Sequence, residues 1–143
     1  MRIIKFEKRY RDDLIFMVLE AKNALGRVPT LNGDLLDLEN HYFNKGDMFW
    51  IALDDNDRVI GCIGCNLLSD GEAVLHRLYI KYNLKRQGLG TKLLDAAEDF
   101  ARENGRKVMK VHLGEKVTYF ESRHFYTKHG YVFIDDDHMK KIL

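Results

Sequence analysis

The chain has 143 residues, 45% of them hydrophobic and 31% charged, the proportions of one globular domain (residues 1–143) and not of a disordered segment. Its 23 Lys and Arg offset 22 Asp and Glu to a net charge of +1, which argues against a general nucleic-acid binder but leaves room for a small cationic site. No run approaches the roughly 18 apolar residues of a membrane span, Met1–Arg11 is charged throughout and does not read as a signal peptide, and two cysteines build no disulfide framework, so a reducing, cytoplasmic setting is expected.

Ile3, Ile4 and Phe6 predict a short strand over Arg2–Glu7. From Tyr10 the period changes, and Leu14, Met17, Val18, Ala21 and Leu25 share one helical face, with stops at Gly26 and Pro29. Asn32, Gly33 and Asp34 offer a turn and cap before a second helix, expected over Leu35–Asn44. Met48–Leu53, Val59–Leu68 and Val74–Ile80 read as a meander of three strands joined by turns rich in Asp, Asn and Gly. Gly88–Asn104 is the clearest helix, with Leu89, Leu93, Leu94, Ala97, Phe100 and Ala101 on one face. A strand over Lys107–Leu113, a helix over Val117–Lys128 and a terminal hairpin of Tyr131–Ile134 and His138–Leu143 complete the chain. The order β-α-α-β-β-β-α-β-α-β-β predicts an α/β (α+β) fold, one sheet with helices on both faces.

Cys62 and Cys65 form a Cys-x-x-Cys inside a predicted strand. Half a zinc site or a redox pair would need a second ligand pair or a helix N-terminus. Three apart on a strand, the two side chains face opposite sides, as two buried core residues would.

The informative segment is Lys85-Arg86-Gln87-Gly88-Leu89-Gly90-Thr91, between a strand and the best helix. A helix N-terminus offers unpaired N–H groups and the positive end of the dipole, and glycines let a phosphate approach the backbone. The segment lacks the P-loop's Gly-x-x-x-x-Gly-Lys-Ser/Thr, and Leu93 stands where a dinucleotide fingerprint has its third glycine.

This segment, with Leu78-Tyr79-Ile80 before it and Phe125-Tyr126-Thr127-Lys128-His129-Gly130-Tyr131 after it, resembles the two signatures of the GNAT (Gcn5-related N-acetyltransferase) family. The resemblance implies the family fold, a mixed, mostly antiparallel sheet of six or seven strands. It implies N-acetyl transfer from acetyl-CoA to a primary amine, on a small molecule or on a protein or peptide, by direct attack in a ternary complex. A homodimer is one expected assembly, and the family needs no metal. The pantetheine arm would pair with Leu78, Tyr79 and Ile80 as an added strand. The pyrophosphate would sit on the N–H groups of Arg86, Gln87, Gly88, Leu89, Gly90 and Thr91, with Lys85 at the rim. Tyr126 would protonate the leaving thiolate, or else pack as an ordinary core aromatic. Four positions depart from the pattern. Lys85 stands for Arg or Gln. Tyr119 and Ser122, expected beside the cofactor, stand for Asn and Ala. Val74 stands where a Glu base is usual.

His76, two residues on and on the same strand face as Val74, is then a candidate base, alongside Glu72 and water, or simply a polar residue at a sheet edge. The crowd of His112, Glu115, Tyr119, Glu121, His124 and His129 reads as solvated helix rather than a metal site, and Asp135–Asp137 as a turn. Glu20, Arg27, Thr30 and Asp34 flank the connection where the family builds its acceptor site. An acyl-CoA-binding module without turnover is the alternative reading.

Overall fold

The computed structural model describes residues 1–85, 87–113 and 120–143. Seven strands, β1 (Arg2–Lys5), β2 (Met48–Leu53), β3 (Val59–Leu67), β4 (Glu72–Ile80), β5 (Val108–His112), β6 (Val132–Phe133) and β7 (His138–Ile142), form one sheet in the order β1-β2-β3-β4-β5-β7-β6. The β4–β5 pair is parallel and the other neighbours are antiparallel. Strands β2 and β3 are nearly continuous runs of buried residues, because helices cover the sheet on both faces. Cys62 packs into the core on one face and Cys65 into the core on the other, as the strand alternation requires.

The helix α1 (Arg11–Ala24) buries Leu14, Met17, Val18 and Ala21 against Phe49, Ile51 and Cys62. The chain then makes a 3₁₀ turn at Gly33–Leu36, a single α turn, α2 (Leu38–His41), and another 3₁₀ turn at Phe43–Lys45, so the second helix expected over Leu35–Asn44 is not one helix. Asp37 (φ −148°, ψ 68°) breaks the continuity, because its carboxylate caps the next turn by accepting from the Asn40 backbone N–H at 3.3 Å. Leu35, Leu38 and Tyr42 still reach the core at helical spacing, which explains the apolar pattern.

The opposite core holds Leu93, Leu94, Ala97 and Ala101 of α3 (Leu89–Glu103), together with Tyr126 of α4 (Phe120–Lys128). The helix expected from Val117 is thus seen from Phe120, and residues 117–119 lie outside the described residues.

Two irregularities in β4 shape the site. Arg77 and Leu78 together oppose Ile63 alone, a β-bulge in which Arg77 takes φ +58°. Strand β5 pairs only with Glu72–Leu75, so beyond Leu75 the parallel strands part. Leu78, Tyr79 and Ile80 keep the β3 neighbour on one side, and β5 does not reach them on the other.

Candidate functional site

A cleft of about 630 Å³ opens where β4 and β5 separate. Leu78, Tyr79, Ile80 and Leu84 form one wall, Gly88, Gly90 and Thr91 of the α3 start form its floor, and Ser122, Phe125 and Tyr126 of α4 face them. The end of α1 closes the far side with Ala21, Leu25 and Arg27. Apolar walls around a few convergent polar groups suit a small-molecule site of this size.

Gly88 holds φ +80° as the N-cap of α3, a left-handed conformation that glycine adopts without cost. The first helical bond from α3 is Lys92 N–H to Gly88 O at 3.2 Å, so the N–H groups of Leu89, Gly90 and Thr91 precede the ladder, as at any helix start. The Leu89 side chain itself packs into the core. A Cβ at Gly90 would lie 3.2 Å from the Phe125 ring, a tight contact to which the ring would have to yield. The second glycine therefore lets α4 pack onto the start of α3. Lys85 stands at the rim, where its ammonium donates to the Glu121 carboxylate at 2.8 Å. Gln87 is exposed and does not line the cleft, and Arg86 and Tyr119 lie outside the described residues.

Tyr126 is 4% exposed, packed edge-on against Phe125 and Tyr131. Burial pushes its phenol above the ordinary tyrosine value, so it stays a protonated O–H at neutral pH. No described residue hydrogen-bonds that hydroxyl, although Tyr126 lines the cleft.

His76 does not line this cleft. Since Ala73 and Leu75 enter the α3-side core, it points to the α1 side of β4. The Asp47 carboxylate accepts from the Asn66 side-chain N–H at 2.8 Å, which leaves Asn66 Oδ1 to accept from His76 Nδ1 at 2.6 Å. That pattern assigns the proton to Nδ1 and leaves Nε2 with a lone pair. Burial first, then Arg77, holds the His76 imidazolium below the usual histidine value. Glu72, the other candidate, is paired with Lys110 at 2.8 Å.

The connection after α1 depends on Lys22, a residue with no signal in the sequence pattern. Lys22 is 6% exposed, and its ammonium donates to Thr30 O at 2.7 Å and Asn32 Oδ1 at 2.9 Å. Burial pushes its pKa down, aided by Arg77 and Arg27. This tether folds the segment carrying Arg27 back beside the cleft. Asp34 accepts from Arg77 Nε at 3.2 Å and from the Tyr42 hydroxyl at 3.1 Å, which ties the bulge to the same connection. Glu20 stays half-buried on α1, outside the cleft lining.

Among the described residues no group of three or more His, Cys, Asp or Glu is placed to hold a metal. His112 stacks on His138, Glu121 pairs with Lys85, and His129 bonds to Thr91, while Glu115 lies outside the described residues. No described helix is long and apolar enough to cross a membrane.

A splayed parallel pair, a glycine-led helix start and a buried tyrosine meet at this one cleft. The model of the Acetyltransferase (GNAT) family matches residues 16–131, and the chain belongs to that family. The probable N-acetyltransferase camello of Xenopus laevis is 37% identical over 79 residues, 53% of this chain and 36% of that protein. The probable N-acetyltransferase 14 of Xenopus tropicalis is 29% identical over 93 residues, 64% of this chain and 43% of that protein. The matched stretch is thus less than half the length of either frog protein. In fold, the chain superposes on a GNAT-family acetyltransferase of Staphylococcus aureus Mu50 with TM-score 0.88 at 21% identity, covering 99% of this chain and 98% of that one. It superposes on the PaiA N-acetyltransferase of Thermoplasma acidophilum, solved with coenzyme A, with TM-score 0.80 at 20% identity and the same coverage.

Proposed function

We propose that this protein is an acetyl-CoA-dependent N-acetyltransferase acting on a primary amine. The observation that carries the reading is one cleft uniting the Leu78–Ile80 edge beyond the reach of β5, the α3 start at Gly88–Thr91 and the Tyr126 phenol. These residues fit the cofactor. A strand edge left uncovered by its parallel neighbour suits an amide-bearing arm, and a helix N-terminus suits a pyrophosphate. Ser122 adds a hydroxyl to the α4 wall. Acetyl-CoA, when bound, supplies the acetyl group as a thioester open to direct attack by the amine.

The chain's own residues meet three demands. The backbone N–H groups of the Leu78–Ile80 edge serve to stabilise a developing oxyanion. Tyr126 keeps its proton at rest and offers it toward a leaving sulfur. The burial that raises the phenol also disfavours a thiolate beside it, which favours uptake of a proton by the leaving sulfur. His76, neutral with a lone pair on Nε2, takes the amine proton through water, since it sits on the α1 face of β4 and outside the cleft lining. The acceptor approaches along the connection held by Lys22 and Asp34. Acceptor-dependent release of thiol from acetyl-CoA tests the reading.

Val74 in place of a carboxylate, and His76 engaged with Asn66, favour the second reading, an acyl-CoA-binding module. That reading expects saturable binding without acceptor-dependent release.

A further inference from the structure

We infer that His129 is a positioning residue that links cofactor binding to proton uptake, acting through the Thr91 hydroxyl; the inference rests on the cofactor reading above. His129 lies just past the C-terminal end of α4 and lines the cleft. Its Nδ1 is 2.8 Å from the Phe125 carbonyl oxygen, and its Nε2 is 2.9 Å from Thr91 Oγ1. A carbonyl only accepts, so Nδ1 carries the proton. In the neutral ring Nε2 is then an acceptor, and the Thr91 hydroxyl must donate to it. Thr91 thereby turns its oxygen lone pairs, and no proton, toward the cleft at the start of α3. That arrangement repels an anion placed there.

A second proton on His129 reverses the relay. Nε2–H donates to Thr91 Oγ1, and the hydroxyl proton is released to point at the anion. No bond other than hydrogen bonds changes, and the added proton comes from solvent. A pyrophosphate at the α3 start attracts both the reoriented hydroxyl proton and the charged ring, so anion and proton bind together.

Other charged groups surround this pair. His124 and Lys128 on α4, and the Lys85–Glu121 ion pair, line the same cleft. Lys92 and Asp95 flank Thr91 along α3. Lys141 of β7 reaches to 3.6 Å from where a Gly130 Cβ would be and is paired with Glu98 of α3. Among these, His129 has the geometry that reverses a donor in the cleft.

The test is calorimetric titration of the whole protein with 3′-dephospho-CoA, which lacks the phosphate monoester that itself titrates near neutrality. Titrations are run at pH 7 in two buffers of different ionisation enthalpy, and affinity is followed from pH 6 to pH 8. Expected are uptake of a fraction of a proton and affinity that falls as pH rises, by at most about tenfold per pH unit, the limit for one linked proton. His129→Asn and Thr91→Val each abolish the uptake and flatten the pH dependence, whereas His124→Gln keeps both. Binding without uptake in the wild type, uptake that survives in His129→Asn, or loss of uptake in His124→Gln instead overturns the proposal alone. Absence of binding by both 3′-dephospho-CoA and CoA overturns the cofactor reading and this proposal with it, and binding of CoA alone overturns this proposal.

Discussion

At the residue scale, Tyr126 and His76 carry two separate proposed contributions to turnover. Tyr126 loses one hydroxyl and no packing volume on change to Phe, so the α3-side core is kept. If the phenol serves the leaving sulfur, Tyr126→Phe lowers kcat by about 10²-fold, within the usual range for a general acid, and leaves acetyl-CoA affinity within about twofold. Steady-state kinetics with a binding titration check this, and unchanged turnover would make Tyr126 a core aromatic only. His76 carries a pH signature. Its folded value is lowered from the ordinary one, so the unfolded chain binds more protons in the window just below about pH 6.5. Its neutral form is therefore stabilised in the fold and lost as pH falls through that window. kcat/KM is expected to decline along that limb in the wild type, with the limb removed and the neutral-pH rate lowered about 10²-fold in His76→Ala.

The element scale shows what binds α3 to α4. Gly90 admits the Phe125 ring, and a larger side chain must displace it. Gly90→Val is expected to cost about 1–3 kcal/mol by overpacking, read as a lowered midpoint in a denaturant melt, and to weaken acetyl-CoA binding because α4 moves off the cleft. A melt and affinity equal to wild type would show that the wall yields freely. Helix α3 is legible in the sequence because its apolar residues recur at 3.6 spacing, and the α1 face for the same reason. The segment from Leu35 to Asn44 has the same spacing yet breaks into single turns, because the cap at Asp37 depends on a local side-chain bond that periodicity does not record. Gly90 is legible as a glycine with a purpose, but the purpose involves a ring 35 residues away in sequence. Lys22 is illegible for a similar reason. A lysine is buried only where acceptors such as Thr30 O and Asn32 Oδ1 fold back onto it, and that return path has no pattern of its own.

At the scale of the whole molecule, the two cores on either side of the sheet share its strands. Cys62 reports one core and Cys65 the other. Burial pushes both thiols up, Cys65 to about 12, so neither offers a thiolate in the folded state. Both are expected to react with a thiol reagent only at the rate of unfolding and with the same denaturant midpoint, read by mass spectrometry of labelled peptides. Labelling of one cysteine at a lower midpoint would show that one face opens alone. The strand order and its one parallel pair place the cleft, because β4 and β5 separate after Leu75 and no hairpin links them. The element order points to this architecture, whereas the bulge at Arg77, which falls where the strands part, has no mark in the hydrophobic pattern. The cleft's proposed work is the transfer of an acetyl group to an amine. The most direct test follows thiol release from acetyl-CoA against a panel of small primary amines and lysine-bearing peptides, with acetylated acceptor identified by mass. Saturable release that requires one class of acceptor, with one acetyl group gained per thiol freed, is expected. Tight acetyl-CoA binding with no acceptor-dependent release across the panel would contradict it.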